Sequence, residues 1–181
     1  MAMQIVDGTG GGYSAAVGSD HRLKTTAVAQ AKIYHISEDD GQAFSWTSTN
    51  YDYDALDTIL LIKNTGSNVL HVHKAAFYSD TATQVIIHRP VADVVTPAGT
   101  ATAGVNLNGN SNLAAEATAI TDETTNVQGD ILISFWLPAG QPVTLEYDDA
   151  VLFGTNQSFA VDYVTAGAAC IVNVIGFFEA E

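Results

Sequence analysis

The sequence predicts an all-β protein: an antiparallel β-sandwich of jelly-roll type with an extended N-terminal arm. Three observations carry that prediction. From Leu23 onward, short runs rich in Val, Ile, Thr, Phe and Tyr alternate with clusters of Gly, Pro, Asn and Asp, the spacing of a sandwich or barrel. No stretch repeats its apolar residues with the 3.6-residue period of a long amphipathic helix. The first twenty residues hold five glycines and stand apart from the rest in composition.

The expected elements follow in chain order. Residues 1–20 form the arm, and 21–181 the sandwich body. The arm carries Met3, Ile5, Val6, Tyr13 and Val17, apolar groups that a plain spacer does not need. In the body, Leu23–Val28 reads as a strand that continues or restarts over Lys32–Ile36. Glu38–Gly41 is a turn, Ala43–Thr47 a short alternating strand, and Thr58–Lys63 an apolar strand ended by the polar turn Asn64–Asn68. Val69–Tyr78 and Thr83–His88 are strands, with a stop at Pro90. Residues 91–129 are rich in Ala, Thr, Asn and Gly and poor in large apolar groups. Within them Asn106–Asn112 is a polar loop, and Leu113–Ile120 reads as a short helix or an irregular strand. Too poor in large apolar groups to make its own core, this stretch is expected at an interface between subunits. Ile131–Leu137, Val143–Tyr147, Val151–Phe153, Ser158–Tyr163 and Ala169–Phe178 complete the strands, with Pro138–Pro142 and Asp148-Asp149 as turns between them.

Composition narrows the function classes. The chain has 181 residues, 47% of them hydrophobic, enough for one domain with a core. Lys and Arg number 6 and Asp and Glu 20, a net charge of −14, which repels nucleic acid and anionic membranes. No apolar run approaches the ~18 residues of a spanning helix. The opening lacks the basic and apolar regions of a secretory signal. A single cysteine excludes an intramolecular disulfide framework and a cysteine-based zinc cluster. Charge is also uneven: residues 1–89 hold all six bases and nine acids, net −3, whereas 90–181 hold eleven acids and no Lys or Arg. A less negative end suits docking on an acidic surface.

Few residues offer chemistry. His71-Val72-His73 places two histidines two apart on a strand, hence on one face, where they can chelate one metal as in a cupin. The glutamate that a cupin needs a few residues later is replaced by Ala75-Ala76-Phe77-Tyr78, and no histidine follows Arg89; only His35 or His88 is left to complete such a site. Asn50–Asp57 sets Asp52, Asp54 and Asp57 at spacings that resemble a calcium loop, without the glycine and glutamate of an EF-hand. No nucleophile elbow, Walker loop or dinucleotide loop is present. Cys170 reads as a small buried hydrophobe. Trp46, Trp136, Tyr147, Tyr163, Phe177 and Phe178 read as core. The expectation is a protein with no catalytic residues, no metal and no cofactor.

Val6-Asp7-Gly8-Thr9-Gly10, then Ala15-Ala16-Val17, then Asp20-His21-Arg22-Leu23 together resemble the start of a group of tailed-bacteriophage virion proteins, in which a glycine-rich arm leads into an all-β body. Val161–Gly167 and the closing Ile175-Gly176-Phe177-Phe178 fit the same group. The resemblance implies a small structural protein of the phage particle, made in the host cytoplasm. It is either a capsid decoration (cement) protein or a head or tail fibre component. Its implied partners are the major capsid protein and further copies of itself as a homotrimer, with no nucleic acid and no membrane. The docking arm it implies comprises Ile5, Val6, Tyr13, Val17 and Arg22. A receptor- or glycan-binding β-sandwich is the alternative of a different class, and a cupin-like metalloenzyme the third.

Overall fold

A computed structural model describes residues 16–17, 23–24, 32–48, 51–90, 99–124 and 128–180. The chain divides into two compact units, residues 1–31 and 32–181. In the first, β1 (Ala16–Val17) and β2 (Leu23–Lys24) pair antiparallel, with Val17 opposite Leu23. The rest of the expected arm, and of the strand expected over Leu23–Val28, lies outside the described residues.

The second unit opens with a helix where the sequence predicts a strand. α1 (Lys32–His35) runs into a wider π-turn over Ile36–Asp40. The reason lies in spacing. Ile33 and Ile36, three apart, pack on one small cluster with Ala43 and Phe177, and His35 pairs with Asp39 one turn on. In a strand Ile33 and Ile36 would face opposite ways. The turn ends at Gly41, whose φ of 64° is left-handed and where a Cβ would stand 2.5 Å from the Ser111 hydroxyl.

Twelve strands follow: β3 (Ala43–Thr47), β4 (Tyr51–Tyr53), β5 (Thr58–Asn64), β6 (Val69–Ser79), β7 (Thr83–Arg89), β8 (Thr100–Thr102), β9 (Val105–Asn106), β10 (Ala117–Glu123), β11 (Asp130–Leu137), β12 (Val143–Phe153), β13 (Ser158–Tyr163) and β14 (Gly167–Glu179). They form two antiparallel sheets packed face to face as a β-sandwich. One has the order β11-β7-β13-β5-β10-β8. The other has the order β12-β6-β14-β3-β9, with β4 added to β14. Between them lies one core, built on Phe44, Trp46, Ile62, Leu70, Phe77, Phe153, Phe159 and Tyr163 among others. Aromatic rings meet there edge to face, as Phe153 and Phe159 do at 5.9 Å.

Two bulges set the faces. On β6, Leu70 and Val72 face the core, and so do Ala75 and Phe77, although alternation alone would turn the second pair outward. The register slips by one residue at His73, between the pairs Val72↔Gly176 and Lys74↔Ile175. Opposite the slip, a Cβ on Gly176 would stand 2.6 Å from the His71 carbonyl oxygen, so the backbones approach closely there. On β12 the segments 143–147 and 151–153 are one strand rather than two. Asp148 and Asp149 form a bulge inside it, not a turn between strands, with φ of 46° and 60°. Aspartate is among the few residues that tolerate that region.

The stretch expected to lack a core of its own joins the sandwich instead. β10 pairs with β5 and in turn carries β8, and Ala119 and Ile120 are buried. Leu113–Ile120 is no helix: the chain loops to Glu116 and becomes β10 at Ala117.

Candidate functional site

The candidate residues fall at different places. Of the expected docking-arm residues, Val17 is placed by its backbone pairing with Leu23. Ile5, Val6, Tyr13 and Arg22 lie outside the described residues.

His71 and His73 both point outward beside Asp149, but among the described residues no third ligand joins them and each ring is engaged by its own neighbours. His71 stacks on Phe177, with ring centroids 4.7 Å apart, and its Nε2 lies 3.3 Å from Glu179 Oε2. Burial and then the neighbouring Lys32 ammonium lower its pKa, opposed by Glu179 and Asp149. The Nδ1 of His73 instead meets Asp149 Oδ1 at 2.9 Å. His35 is spent on Asp39. His88 is fully buried elsewhere, its Nε2 2.9 Å from Asp162 Oδ2. Asp162 Oδ1 accepts from the Thr58 hydroxyl at 2.6 Å, and His88 Nδ1 from the Gly129 N–H at 3.4 Å. The ring approaches the carboxylate through Nε2, and the hydroxyl is bound to the acid rather than to the base. That order ties β5, β7 and β13 together without activating a nucleophile.

The acidic loop is equally local. Asp57 Oδ2 accepts the Asp54 N–H at 3.2 Å. Burial raises the Asp57 pKa, and the nearby Asp122, Asp54 and Asp162 charges raise it further. The Asp52 side chain lies outside the described residues. Among the described residues no three His, Cys, Asp or Glu side chains are arranged to hold a metal ion. Burial pushes the Cys170 thiol up to about 12, so it is protonated and unreactive. A cleft of about 650 Å³ beside α1 is lined by Lys32, His35, Asp39 and Glu179, of which Lys32 pairs with Glu179 and His35 with Asp39.

What the body does present is apolar surface at two flanks. β11 and β12, joined by the turn at Pro138–Gly140, are the edge strands of the two sheets on one side. The inner-face residues Ile133, Phe135, Val143, Leu145 and Val151 pack on the core yet are only half-buried. Ile131 and Leu132 are exposed, Trp136 is 64% exposed on the outer face of β11, and Leu152 is exposed on the outer face of β12, in the other sheet. Trp136 is thus not a core residue, unlike Trp46, Tyr147, Tyr163, Phe177 and Phe178, which are. It alternates with the core-facing Phe135 and so lies on the outer face of β11, opposite Gln84.

On the opposite side, β8 and β9 are the edges. Val105, 66% exposed, leads into Leu107 and Leu113, also exposed. Asn106 fixes this loop: its Nδ2 reaches Gly41 O at 2.7 Å and Leu113 O at 3.1 Å, and its Oδ1 accepts the Asn108 N–H at 2.9 Å. Asn108 in turn donates to Ser37 O at 2.9 Å. Neither flank stands out in the sequence as a motif. The signal that finds them is negative: residues 99–115 and 131–145 contain no Asp, Glu, Lys, Arg or His. Edge strands are ordinarily guarded by charge.

Comparison of the chain with protein-family models, with curated proteins and with solved structures returns no match. The functional reading therefore rests on the chain itself.

Proposed function

We propose that the protein is a structural component of a phage virion, a decoration protein that binds the outer surface of the capsid as a homotrimer and reinforces the shell through contacts with the major capsid protein. The observation that carries the reading is the exposed apolar side chains of β11 and of the Val105–Leu113 loop, in segments that hold no charged residue, on an otherwise strongly acidic β-sandwich. Large exposed apolar patches mark surfaces made for protein contact, and the clustered polar groups of the body are absorbed in local pairs. The sequence resemblance supports the class. The strand order supports the jelly-roll reading: β3-β14-β6-β12 in one sheet and β5-β13-β7-β11 in the other draw their strands from both halves of the chain. The arm residues Ile5, Val6, Tyr13, Val17 and Arg22 supply the capsid contact in this reading. Burying a side chain of this size contributes about 1.5–3 kcal/mol, so backbone pairing with the capsid surface adds to it.

Deletion of residues 1–20 tests this. The truncated chain keeps the circular dichroism of the β-body and loses most of its occupancy on stripped capsids. Full occupancy without the arm refutes the docking role.

One observation favours a second reading. Trp136 is exposed on an outer sheet face beside Gln84 and Ser134, which are themselves hydrogen-bonded at 2.7 Å. An aromatic face beside amide and hydroxyl groups suits the stacking of a sugar ring. Binding on a glycan array that Trp136→Ala abolishes, without any binding to capsids, favours a receptor-binding fibre domain over a decoration protein.

A further inference from the structure

We propose that α1 is an acid-sensitive latch: a proton on His71 displaces Lys32 from Glu179 and frees the start of α1 from β14. The chain passes from residues 1–31 into the body at Lys32, so the latch holds that junction at neutral pH and loosens it in mild acid. The inference uses neither the capsid nor the glycan reading.

Two basic groups compete for one anion and one ring. Lys32 Nζ and His71 Nε2 both meet the same carboxylate oxygen, Glu179 Oε2, the imidazole at 3.3 Å. The same two side chains share Phe177: His71 stacks on it with centroids 4.7 Å apart, and Lys32 Nζ lies 5.5 Å from its centroid. Strand register places them there. His71 of β6 pairs with Phe177 of β14, and Glu179, two residues on, shares the outward face of Phe177. With His71 neutral, the carboxylate and the ring serve the ammonium alone. With a proton on His71, two positive charges crowd one negative charge. His71 is buried and Lys32 is half-exposed, so Lys32 is the group that leaves.

α1 has little else to hold it. None of its residues is buried, and Ile33 packs only at the edge of the cluster of Ile36, Ala43 and Phe177. Beyond the π-turn the backbone is fastened, the Phe178 N–H donating to Gln42 O at 3.0 Å. The start of α1 can therefore move while its exit stays fixed. The other charged groups around His71 do not set this competition. Asp149, from the β12 bulge, favours the proton as Glu179 does, and it is paired with His73 of β6. Lys74 of β6 pairs with Glu146. In the cleft beside Glu179, with Asp40, His35 pairs with Asp39 inside its own element, so a proton there tightens the turn on itself without touching β14. Burial and then Lys32 disfavour the proton on His71. Coupling is reciprocal, so the proton disfavours docked Lys32 by the factor by which docked Lys32 disfavours the proton.

Two readouts on the full chain test the latch between about pH 5.5 and 7.5, above the ordinary carboxylate range. The first is amide hydrogen exchange over residues 36–40, corrected for the intrinsic effect of pH. In the wild type, protection there falls ~5-fold or more from the upper to the lower pH, and protection along β6 and β14 is unchanged. In His71→Gln the fall disappears. In Lys32→Gln protection is low at both pH values. The second readout is the NMR titration of the His71 ring. Lys32→Gln raises its midpoint, and salt at about 1 M raises it in the wild type by screening the ammonium. A wild-type protection that does not fall, or that falls equally in His71→Gln, overturns the latch. So does a His71 midpoint that Lys32→Gln leaves unmoved. Lys32 is half-exposed, so if His71→Gln does not fold, the Lys32→Gln readouts decide alone. Capsid occupancy plays no part in either readout, so this proposal and the decoration reading fail separately.

Discussion

The β11/β12 flank is held in place by two long ladders, β11 on β7 and β12 on β6, whereas the β9 flank is held largely by side-chain amides. Strands β8 and β9 have three and two residues, and Asn106 and Asn108 make the bonds that a longer ladder would otherwise make. Both present apolar side chains of similar size. The difference is in what lies behind them. A ladder spreads the cost of one altered side chain over many backbone bonds, but a loop pinned by two amides concentrates it on those two residues.

The largest effect that probes this contrast is in the core behind the first flank. Phe77→Ala costs about 3–5 kcal/mol in urea unfolding, and Phe135→Ala, whose ring is already half in water, costs roughly half as much. If the two are equal in dilute protein, the flank is already covered within one copy and the contrast fails. Next, Asn106→Ala costs about 1–3 kcal/mol through the polar groups it leaves unpaired. Hydrogen exchange then quickens over residues 107–113 and is unchanged along β11; a change spread over both flanks shows that they are not separate structures.

A smaller effect tests the ladder beneath β12. The pKa of His71 lies below its ordinary 6.5, so the unfolded chain binds its proton first as pH falls. Its contribution to stability is complete above pH 6.5 and is lost as pH falls through the lower, folded value. Replacing His71 and His73 together with Gln removes that acid-dependent loss and changes stability at neutral pH by no more than ~2 kcal/mol. A melting curve whose pH dependence survives the substitution assigns the effect elsewhere. The smallest effect comes from Asp57, away from both flanks. Its pKa lies above the ordinary 3.8, so the folded chain favours its protonated carboxyl, a contribution present at low pH and lost as pH rises through the folded value. Asp57→Asn therefore raises the melting temperature slightly at pH 7, has no effect near pH 3, and leaves self-association untouched; altered association makes this loop part of the interface.

Much of the sandwich was legible in the sequence, because β5, β7, β13 and β14 are short apolar runs between strong turn residues. Asn64–Asn68 ends β5 where expected, with the Asn64 amide donating to Asn68 O at 2.7 Å. Legibility failed where one residue changes the phase. The extra residue at His73 is invisible to an alternation rule: His71 and His73 share the outward face as their spacing implies, but the slip turns Ala75 and Phe77 back to the core. Ile33 and Ile36 read as strand because a single helical turn is too short for its period to show. Asp148-Asp149 reads as a turn because two adjacent aspartates signal one equally well in a hairpin and in a bulge. Trp136 reads as core because its run, Ile131–Leu137, is as apolar as the buried strands. Only the topology makes it an edge. The exposed apolar segments 99–115 and 131–145 are legible solely as an absence of charge, which no motif records.

The two edge strands of the β11/β12 flank have a mechanical consequence. Each lies alongside its neighbour for most of its length, with partners running from Asp130↔Arg89 to Leu137↔Thr83 and from Val143↔Phe77 to Phe153↔Leu70. One turn joins them, so a pull on anything bound there enters both sheets together. Force directed along the strands loads each ladder in shear, with all of its hydrogen bonds strained at once. Force perpendicular to them would peel the bonds one at a time, from Leu137 or Val143 inward. The flank is therefore anisotropic, strong along the strands and weak across them, and a partner that grips it lengthwise meets the stiffest direction of the molecule.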